Sequence, residues 1–327
     1  MTELDRKLPL DVEDIDVAGT VSGQSGDTEA IGATERSIPD APDGVPHAAT
    51  PEIGDRVGSV LLQEKLGQGV SCYVFRGWDE AEQLPVAVKI INWNNVFDKN
   101  AALKQMRTEA ACLARVKHSR VVRFIDFGFD PRFPYIVTEF IEGRPLGELL
   151  RTGGAMPPEW AVYLTSQVAE GLGAVWRAGL VHRDIKPDNV LIGPNGIAKL
   201  IDFGLAKVQV VPEVGAPSSS ELAGTPAYLA PEQAKDASIV DQRADIYSLG
   251  VTFFESLTGR LPFEGKNRMQ MIFQHLNDAP PAPNSINPAI PGIVNDLCLW
   301  MLNKNPDQRP QTYDDLRQAF DAIMGMS

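Results

Sequence analysis

Two glycines, a lysine and several carboxylates carry the chemistry this sequence could perform. Gly67-Gln68-Gly69 lies between two runs that read as strands, not between a strand and a helix. A glycine hairpin bares backbone N–H groups that can close over phosphates. A dinucleotide turn would need a helix after the glycines, so that reading is disfavoured. Taken alone, such a turn is more often merely a tight hairpin. Val86-Ala87-Val88-Lys89 ends a β-forming run in a lysine. A lysine on a buried strand needs an anionic partner or ligand, because an unpaired buried charge is costly. Glu109 borders the apolar stripe of the next predicted helix and is placed to face it, either as a structural ion pair or within a site. Farther on come His182-Arg183-Asp184-Ile185-Lys186-Pro187-Asp188-Asn189, then Asp202-Phe203-Gly204, then Ala230-Pro231-Glu232. Each of these, in isolation, is a polar loop.

The elements around these residues fall into two groups. Ser59–Leu66, Ser71–Arg76, Val86–Asn92, Val121–Phe127 and Tyr135–Glu139 read as strands. One helix interrupts them: Leu103, Met106, Ala110 and Leu113 form an apolar stripe across Asn100–Ala114. Beyond Gly143 the spacing predicts helices over Glu159–Ala178, Gln242–Thr258, Gly292–Asn303 and Tyr313–Ile323, the last opened by Thr312 and Asp315 at capping-box spacing. Strands on one side and helices on the other imply two lobes with a ligand cleft between them.

The order of the segments resembles the protein-kinase signature set over about residues 56–324. The resemblance implies an α+β fold of two lobes: a β-rich N-lobe with one key helix over 53–143, and a mainly helical C-lobe over 144–327. It implies ATP and Mg2+ as cofactors, with Mn2+ as an alternative, and protein substrates as partners. Carried across residue by residue, Leu66, Gly67, Gln68, Gly69, Val70, Ser71, Cys72, Tyr73 and Val74 would cover the ATP phosphates. Lys89 would hold the α- and β-phosphates and pair with Glu109, and Asp184 would accept the substrate hydroxyl proton. Asn189 and Asp202 would bind the metal. Thr138 would guard the back of the adenine pocket, Glu139 to Ile141 would be the hinge, and Val74, Ala87 and Leu191 would sandwich the base. Each of those apolar residues is equally an ordinary core position. Lys186 and Thr225 resemble the serine/threonine branch, and the run from Gly224 to Gln233 looks most like bacterial members.

Other matches are structural by the family's logic. Glu232 and Arg309 would form a buried ion pair, Asp245 would anchor the catalytic loop, and Leu113, His182 and Phe203 would stack in a hydrophobic column. Cys72 replaces the third glycine of the loop, either as a tolerated small residue or as a thiol-sensitive switch. Pro145 stands where basophilic members carry a carboxylate, which argues against a preference for basic substrates. Asp202–Glu232 resembles an activation loop; Ser218, Ser219 and Ser220 are its expected autophosphorylation sites, with Arg183 as the phosphate's partner and Glu221 supplying part of the charge.

Composition narrows the remaining classes. The net charge is −13, and residues 1–55 hold thirteen Asp and Glu against three Arg and Lys. This balance disfavours nucleic acid or an anionic membrane as partner. Residues 1–52 lack Phe, Tyr and Trp and are expected to be a disordered acidic tail. Lys99–Arg123 holds seven basic residues and one acid, Glu109, so docking of the tail there stands beside the plainer reading of a solvated face. Three separated cysteines, no signal-peptide layout and no long apolar run point to a cytoplasmic protein with no membrane span. Two rivals remain: a nucleotide-binding scaffold, which the intact Lys89, Asp184 and Asp202 oppose, and a small-molecule phosphotransferase, which normally lacks Ala230-Pro231-Glu232.

Overall fold

The computed structural model describes residues 50–69, 71–129, 133–194, 196–208, 225–236 and 240–325. Residues 1–49 of the expected tail, Val70, Ser218 to Ser220 and Glu221 lie outside the described residues. The described residues at this end begin at Thr50. Pro51 is buried, and the Asn94 side-chain amide donates to Thr50 Oγ1 at 3.1 Å.

The first lobe is one antiparallel sheet. Its strands are β1 (Arg56–Val57), β2 (Val60–Gln68), β3 (Cys72–Asp79), β4 (Leu84–Ile91), β5 (Phe124–Phe129) and β6 (Pro134–Glu139), in the order β1-β2-β3-β4-β6-β5. Between β4 and β5 lies α1 (Lys99–Ala114), started by Asp98, whose carboxylate accepts from the Ala101 N–H. The alternation of apolar residues gives the sheet two closed faces. Leu62, Tyr73, Phe75, Val86, Val88 and Val137 build one core. Ile91, Phe127 and Ile136 meet Met106 and Ala110 of α1 on the other. The predicted stripe on α1 is thus the face that packs.

The strand expected over Val121–Phe127 begins at Phe124 instead. Its first residues pair with the other lobe: Val122 N–H donates to the Leu200 carbonyl at 2.8 Å, and Val121 bridges Leu200.

The second lobe is built on helices. In chain order it contains β7 (Arg144–Pro145), α2 (Leu146–Gly153), α3 (Pro158–Arg177), β8 (Leu180–Val181), β9 (Val190–Ile192), β10 (Ala198–Leu200), β11 (Lys207–Val208), α4 (Pro231–Lys235), α5 (Gln242–Thr258), α6 (Arg268–Asn277), α7 (Pro283–Ile286), α8 (Gly292–Met301) and α9 (Tyr313–Met324). Thirteen residues of α5 are buried, on all sides of the helix, which makes it the central one. It ends at Gly259, whose φ of +71° suits the left-handed cap. α9 begins with the predicted capping box of Thr312 and Asp315. α2, α4, α6 and α7 were not foreseen. α6 is short, and although Ile272 and His275 are buried at helical spacing, the exposed Met269 and Phe273 blur its apolar stripe. Short strands β7, β9 and β10 form a sheet at the lobe's upper surface. The chain crosses between lobes over residues 140–143, where a Cβ on Gly143 would strike the Ile192 carbonyl oxygen.

Candidate active site

The roof of the cleft is set by strand register. Val74 faces Lys89 and Lys89 faces Ile136, while Arg76 faces Ala87 and Ala87 faces Thr138. Directly opposed residues share a sheet face, so Val74, Ala87, Lys89 and Thr138 all look the same way, toward α1 and the cleft. Cys72, opposite Ile91, joins them. Tyr73 does not. Its parity puts the ring in the opposite core beside Phe75, 6.4 Å between centroids, so its side chain is removed from the expected nucleotide contacts. A bulge between Lys65 and Gly67 turns Leu66 outward at the end of β2, where it stays exposed. Past it, no heavy atom lies within 4 Å of where a Cβ on Gly67 would stand. The turn closes through Gly69 N–H to the Cys72 carbonyl at 2.8 Å, with Ser71 exposed at its tip. Gln68 accepts a hydrogen bond from Lys65.

Lys89 Nζ lies 2.6 Å from Glu109 Oε1 and 3.2 Å from Asp202 Oδ1. Helix α1 is therefore docked against the sheet, and Asp202 reaches the roof from the other lobe. Burial works against the charged ammonium, yet the two carboxylates hold the Lys89 pKa above its ordinary value. Burial likewise opposes ionisation of Asp202, but Lys89 and the Gly204 N–H bring its pKa down to about 2. Glu109 is pushed up by burial, with Lys89 opposing and Asp202 reinforcing. One ammonium shared by two carboxylates leaves the cluster one charge negative.

The floor is held by backbone anchors. Arg183 has φ +70°, a left-handed conformation that is unusual for a residue with a side chain. Asp245, buried on α5, accepts from the N–H groups of His182 (2.8 Å) and Arg183 (2.7 Å) and so fixes that turn. Burial raises the Asp245 pKa to about 6, against the pull of those two N–H donors. The Gln233 amide donates to the Arg183 carbonyl. Asp184 then receives Lys186 Nζ at 2.7 Å, Asn189 Nδ2 at 3.1 Å and Thr225 Oγ1 at 3.2 Å. Lys186 also donates to Thr225 Oγ1 at 2.9 Å, closing a triangle. Ile201 N–H donates to the Asn189 carbonyl, which sets Asn189 beside the strand leading into Asp202.

Supporting residues fall where the sequence put them. His182 and Phe203 stack at 4.9 Å, and Phe203 shares one core with Leu113. Burial lowers the His182 pKa to about 4, consistent with a packing residue rather than a base. Arg309 meets Glu232 through two parallel bonds of 2.6 and 2.8 Å. Leu191 lies on β9 across from Pro145, and Ile141 packs against the helical core. One contact was not foreseen. The Glu139 side chain, at the start of the hinge, accepts from Lys199 Nζ at 2.6 Å and from the Arg123 N–H at 2.9 Å. Lys199 comes from another element sixty positions away, and nothing local marks it.

Asn189 and Asp202 supply hard oxygen donors, and Asp202 is held ionised. That is the donor chemistry of a small divalent cation that keeps phosphate and water as its other ligands. Among the described residues, no group of three or more His, Cys, Asp or Glu forms a metal site by itself.

A β-sheet lobe carrying a shared-lysine cluster, closed over a helical lobe that presents a carboxylate on an anchored loop, defines a protein-kinase fold. The chain belongs to that family: the protein kinase domain matches residues 61–320. Serine/threonine-protein kinase PknL of Mycobacterium tuberculosis is 39% identical over 249 residues, covering 76% of this chain and 61% of that protein. PksC of Streptomyces coelicolor is 36% identical over 268 residues, 80% of this chain and 48% of its own length. The kinase pkn2 of Myxococcus xanthus is 38% identical over 273 residues, 81% and 32% respectively. The chain thus spans less than two thirds of each of these relatives. Family membership implies ATP and a divalent metal. No helix among the described residues is long and apolar enough to cross a membrane.

Proposed function

We propose that this protein transfers the γ-phosphoryl group of ATP to serine or threonine hydroxyls of protein substrates. The observation that carries the reading is the Thr225 hydroxyl, 3.2 Å from the Asp184 carboxylate. A side-chain alcohol already occupies the place where a base would receive its proton. An acceptor hydroxyl taking that position would give its proton to Asp184 as its oxygen bonds the γ-phosphorus, and ADP would leave. Lys186, bonded to Asp184, would offset charge on the transferred group. Lys89, held by Glu109, would orient the α- and β-phosphates, and the bare backbone of Gly67 and Gly69 would lie over them. Asn189 and Asp202 would hold Mg2+, with Mn2+ as an alternative of the same oxygen preference. The metal would neutralise phosphate charge. Thr138, Ala87, Val74 and Leu191 would enclose the adenine, with the backbone of Glu139 to Ile141 as its hydrogen-bonding edge.

Purified chain, MgATP and a generic protein acceptor test this. The wild type should incorporate phosphate on Ser and Thr, and Asp184→Asn should lose about 10²- to 10⁴-fold in kcat, the usual size of general-base catalysis. A wild type that transfers nothing, or that labels only tyrosine, overturns the reading.

Activation by loop phosphorylation is part of the proposal. Arg183 Nε is buried and finds no partner among the described residues, and burial lowers the Arg183 pKa. Lys207 lies close enough that Arg183 depresses its pKa, after burial. Two cations with an unmet donor favour a phosphate, which Ser218, Ser219 or Ser220 would supply. The three cysteines are free, which fits a reducing cytoplasm as the place of action.

A further inference from the structure

His275 lies near the end of α6, fully buried, with both ring nitrogens engaged. Nε2 is 3.0 Å from the Ala227 carbonyl oxygen, and Nδ1 is 2.9 Å from Tyr247 Oη. A carbonyl can only accept, so Nε2 carries the proton. In a neutral ring, Nδ1 then accepts from the Tyr247 hydroxyl. A lone pair of that hydroxyl takes an N–H of Lys304 at 3.1 Å. Lys304 also donates to the carbonyl oxygens of Gln274 (3.3 Å) and His275 (2.7 Å), closing the last turn of α6. Donation therefore runs in one direction, from Lys304 to Tyr247 to His275 to Ala227. Burial, with Lys304 adding to it, holds the imidazole pKa at about 4, so the tautomer is constant near neutrality.

The far end of this relay is the segment that carries Thr225. Ala227 stands two residues beyond Thr225, whose N–H and hydroxyl both bond Asp184. Its neighbour Tyr228 is fixed separately: Ser248 Oγ donates to the Tyr228 carbonyl at 2.8 Å, and Tyr228 Oη donates to Glu255 at 2.6 Å. Those two anchors come from α5. His275 adds a third from α6 and aims it at the Ala227 carbonyl, one residue closer to Thr225 than the Tyr228 carbonyl. Volume alone would not require a histidine here. The ring stacks edge-on against Phe263 at 4.9 Å, a packing that phenylalanine could also make. What phenylalanine could not do is donate to Ala227.

We infer that His275 is a positioning residue for the protein substrate: through the Ala227 carbonyl it sets where the Thr225–Leu229 segment stands beneath Asp184. This deepens the proposed phosphoryl transfer and rests on it. The ring touches neither nucleotide-binding residues nor Asp184, so its effect belongs to the acceptor and not to ATP.

The test uses the full chain as wild type, His275→Phe, His275→Gln and Tyr247→Phe, with MgATP and casein as acceptor. Thermal melts accompany the kinetics. His275→Phe should raise the acceptor KM about tenfold, the size of one lost buried hydrogen bond. Its KM for ATP and its acceptor-independent ATP hydrolysis should match the wild type. His275→Gln, which restores an N–H donor, should recover most of the loss. Tyr247→Phe removes only the middle of the relay and should raise the acceptor KM by a smaller factor. A folded His275→Phe with unchanged acceptor KM overturns the inference. So does an equal loss in acceptor-independent hydrolysis, which would mark a general structural role. If His275→Phe does not fold, His275→Gln and Tyr247→Phe decide by the same readouts. A wild type that phosphorylates nothing removes the functional reading itself, an outcome distinct from a wild type that is active beside indifferent variants.

Discussion

Two of the ion pairs drawn from distant segments, Arg309–Glu232 and the Lys89 cluster, are finished differently. Arg309 is fully enclosed, and every donor on its guanidinium is used. Nε bonds the Asn303 carbonyl, and the two terminal nitrogens bond Glu232 twice and the carbonyls of Arg243 and Lys304. The pair is neutral and closed. Lys89, by contrast, keeps a quarter of its side chain exposed and faces two carboxylates, of which Asp202 is the more open at 38%. That cluster is one charge negative and has room on one side. An ion pair with all its donors satisfied has nothing left to offer a ligand. One with a surplus carboxylate and an open flank still wants a cation, and its lysine can still turn toward phosphate. Binding capacity is thus legible as incomplete satisfaction.

Breaking the closed pair should produce the largest change in stability. Arg309→Ala strands Glu232 in a partly buried site, and loss of one partner of a buried pair costs about 3–5 kcal/mol. For a domain this size, the melting temperature should fall by about 10 °C. Activity per folded molecule should survive at low temperature. A melt within about 2 °C of wild type, on the same scale, would place the two pairs in one class and break the contrast.

Lys89→Met should do the reverse. Loss of a preorganised cation at the reacting phosphates costs about 10²- to 10³-fold in kcat. Its stability effect should be smaller and should depend on pH. In the wild type the Asp202 pKa is about 2, below the roughly 3.9 of a free aspartate. A depressed carboxylate pKa adds stability that is present above the unfolded value and is lost as pH falls toward 2. Without Lys89, burial dominates and pushes the carboxyls of Glu109 and Asp202 up, so folding weakens as they ionise. The gap in melting temperature between wild type and Lys89→Met should therefore widen from pH 3 to pH 7. A constant gap across that range would mean that Lys89 does not govern these carboxylates.

Much of this was legible before the structure, because the residues that carry the site sit in contiguous segments. His182 to Asn189 announces itself by order and composition. So does the strand ending in Lys89. Glu232 and Arg309 are 77 positions apart, but each belongs to a recognisable run. What failed was parity within a run. Tyr73 follows Cys72 and precedes Val74, both on the cleft face, and by strand alternation it had to point the other way. Reading the glycine turn as one continuous stretch hid that. Partners brought in by tertiary structure were out of reach: Lys199 on Glu139, and the relay from Lys304 to Ala227. A histidine on a short helix with exposed apolar neighbours gives no local sign of its two bonds. The first residues of the expected strand at Val121 were lost to Leu200 for the same reason.

Cys72 gives the smallest expected effect and the finest probe of the open cluster. It sits on the same sheet face as Lys89, whose positive charge favours a thiolate. Burial acts the other way and is the larger influence, so the thiol pKa is raised. The thiolate is the reactive form, and a buried thiol of raised pKa reacts slowly. Cys72→Ala should therefore change kcat/KM by no more than about twofold, as for a substitution that removes one small half-buried group. Iodoacetamide at pH 7.4 should inactivate wild type and Cys72→Ala at the same slow rate. Rapid loss confined to the wild type would show the Lys89 field overcoming burial at this position. The cleft roof would then be more polar, and the open cluster's reach longer, than its distances imply.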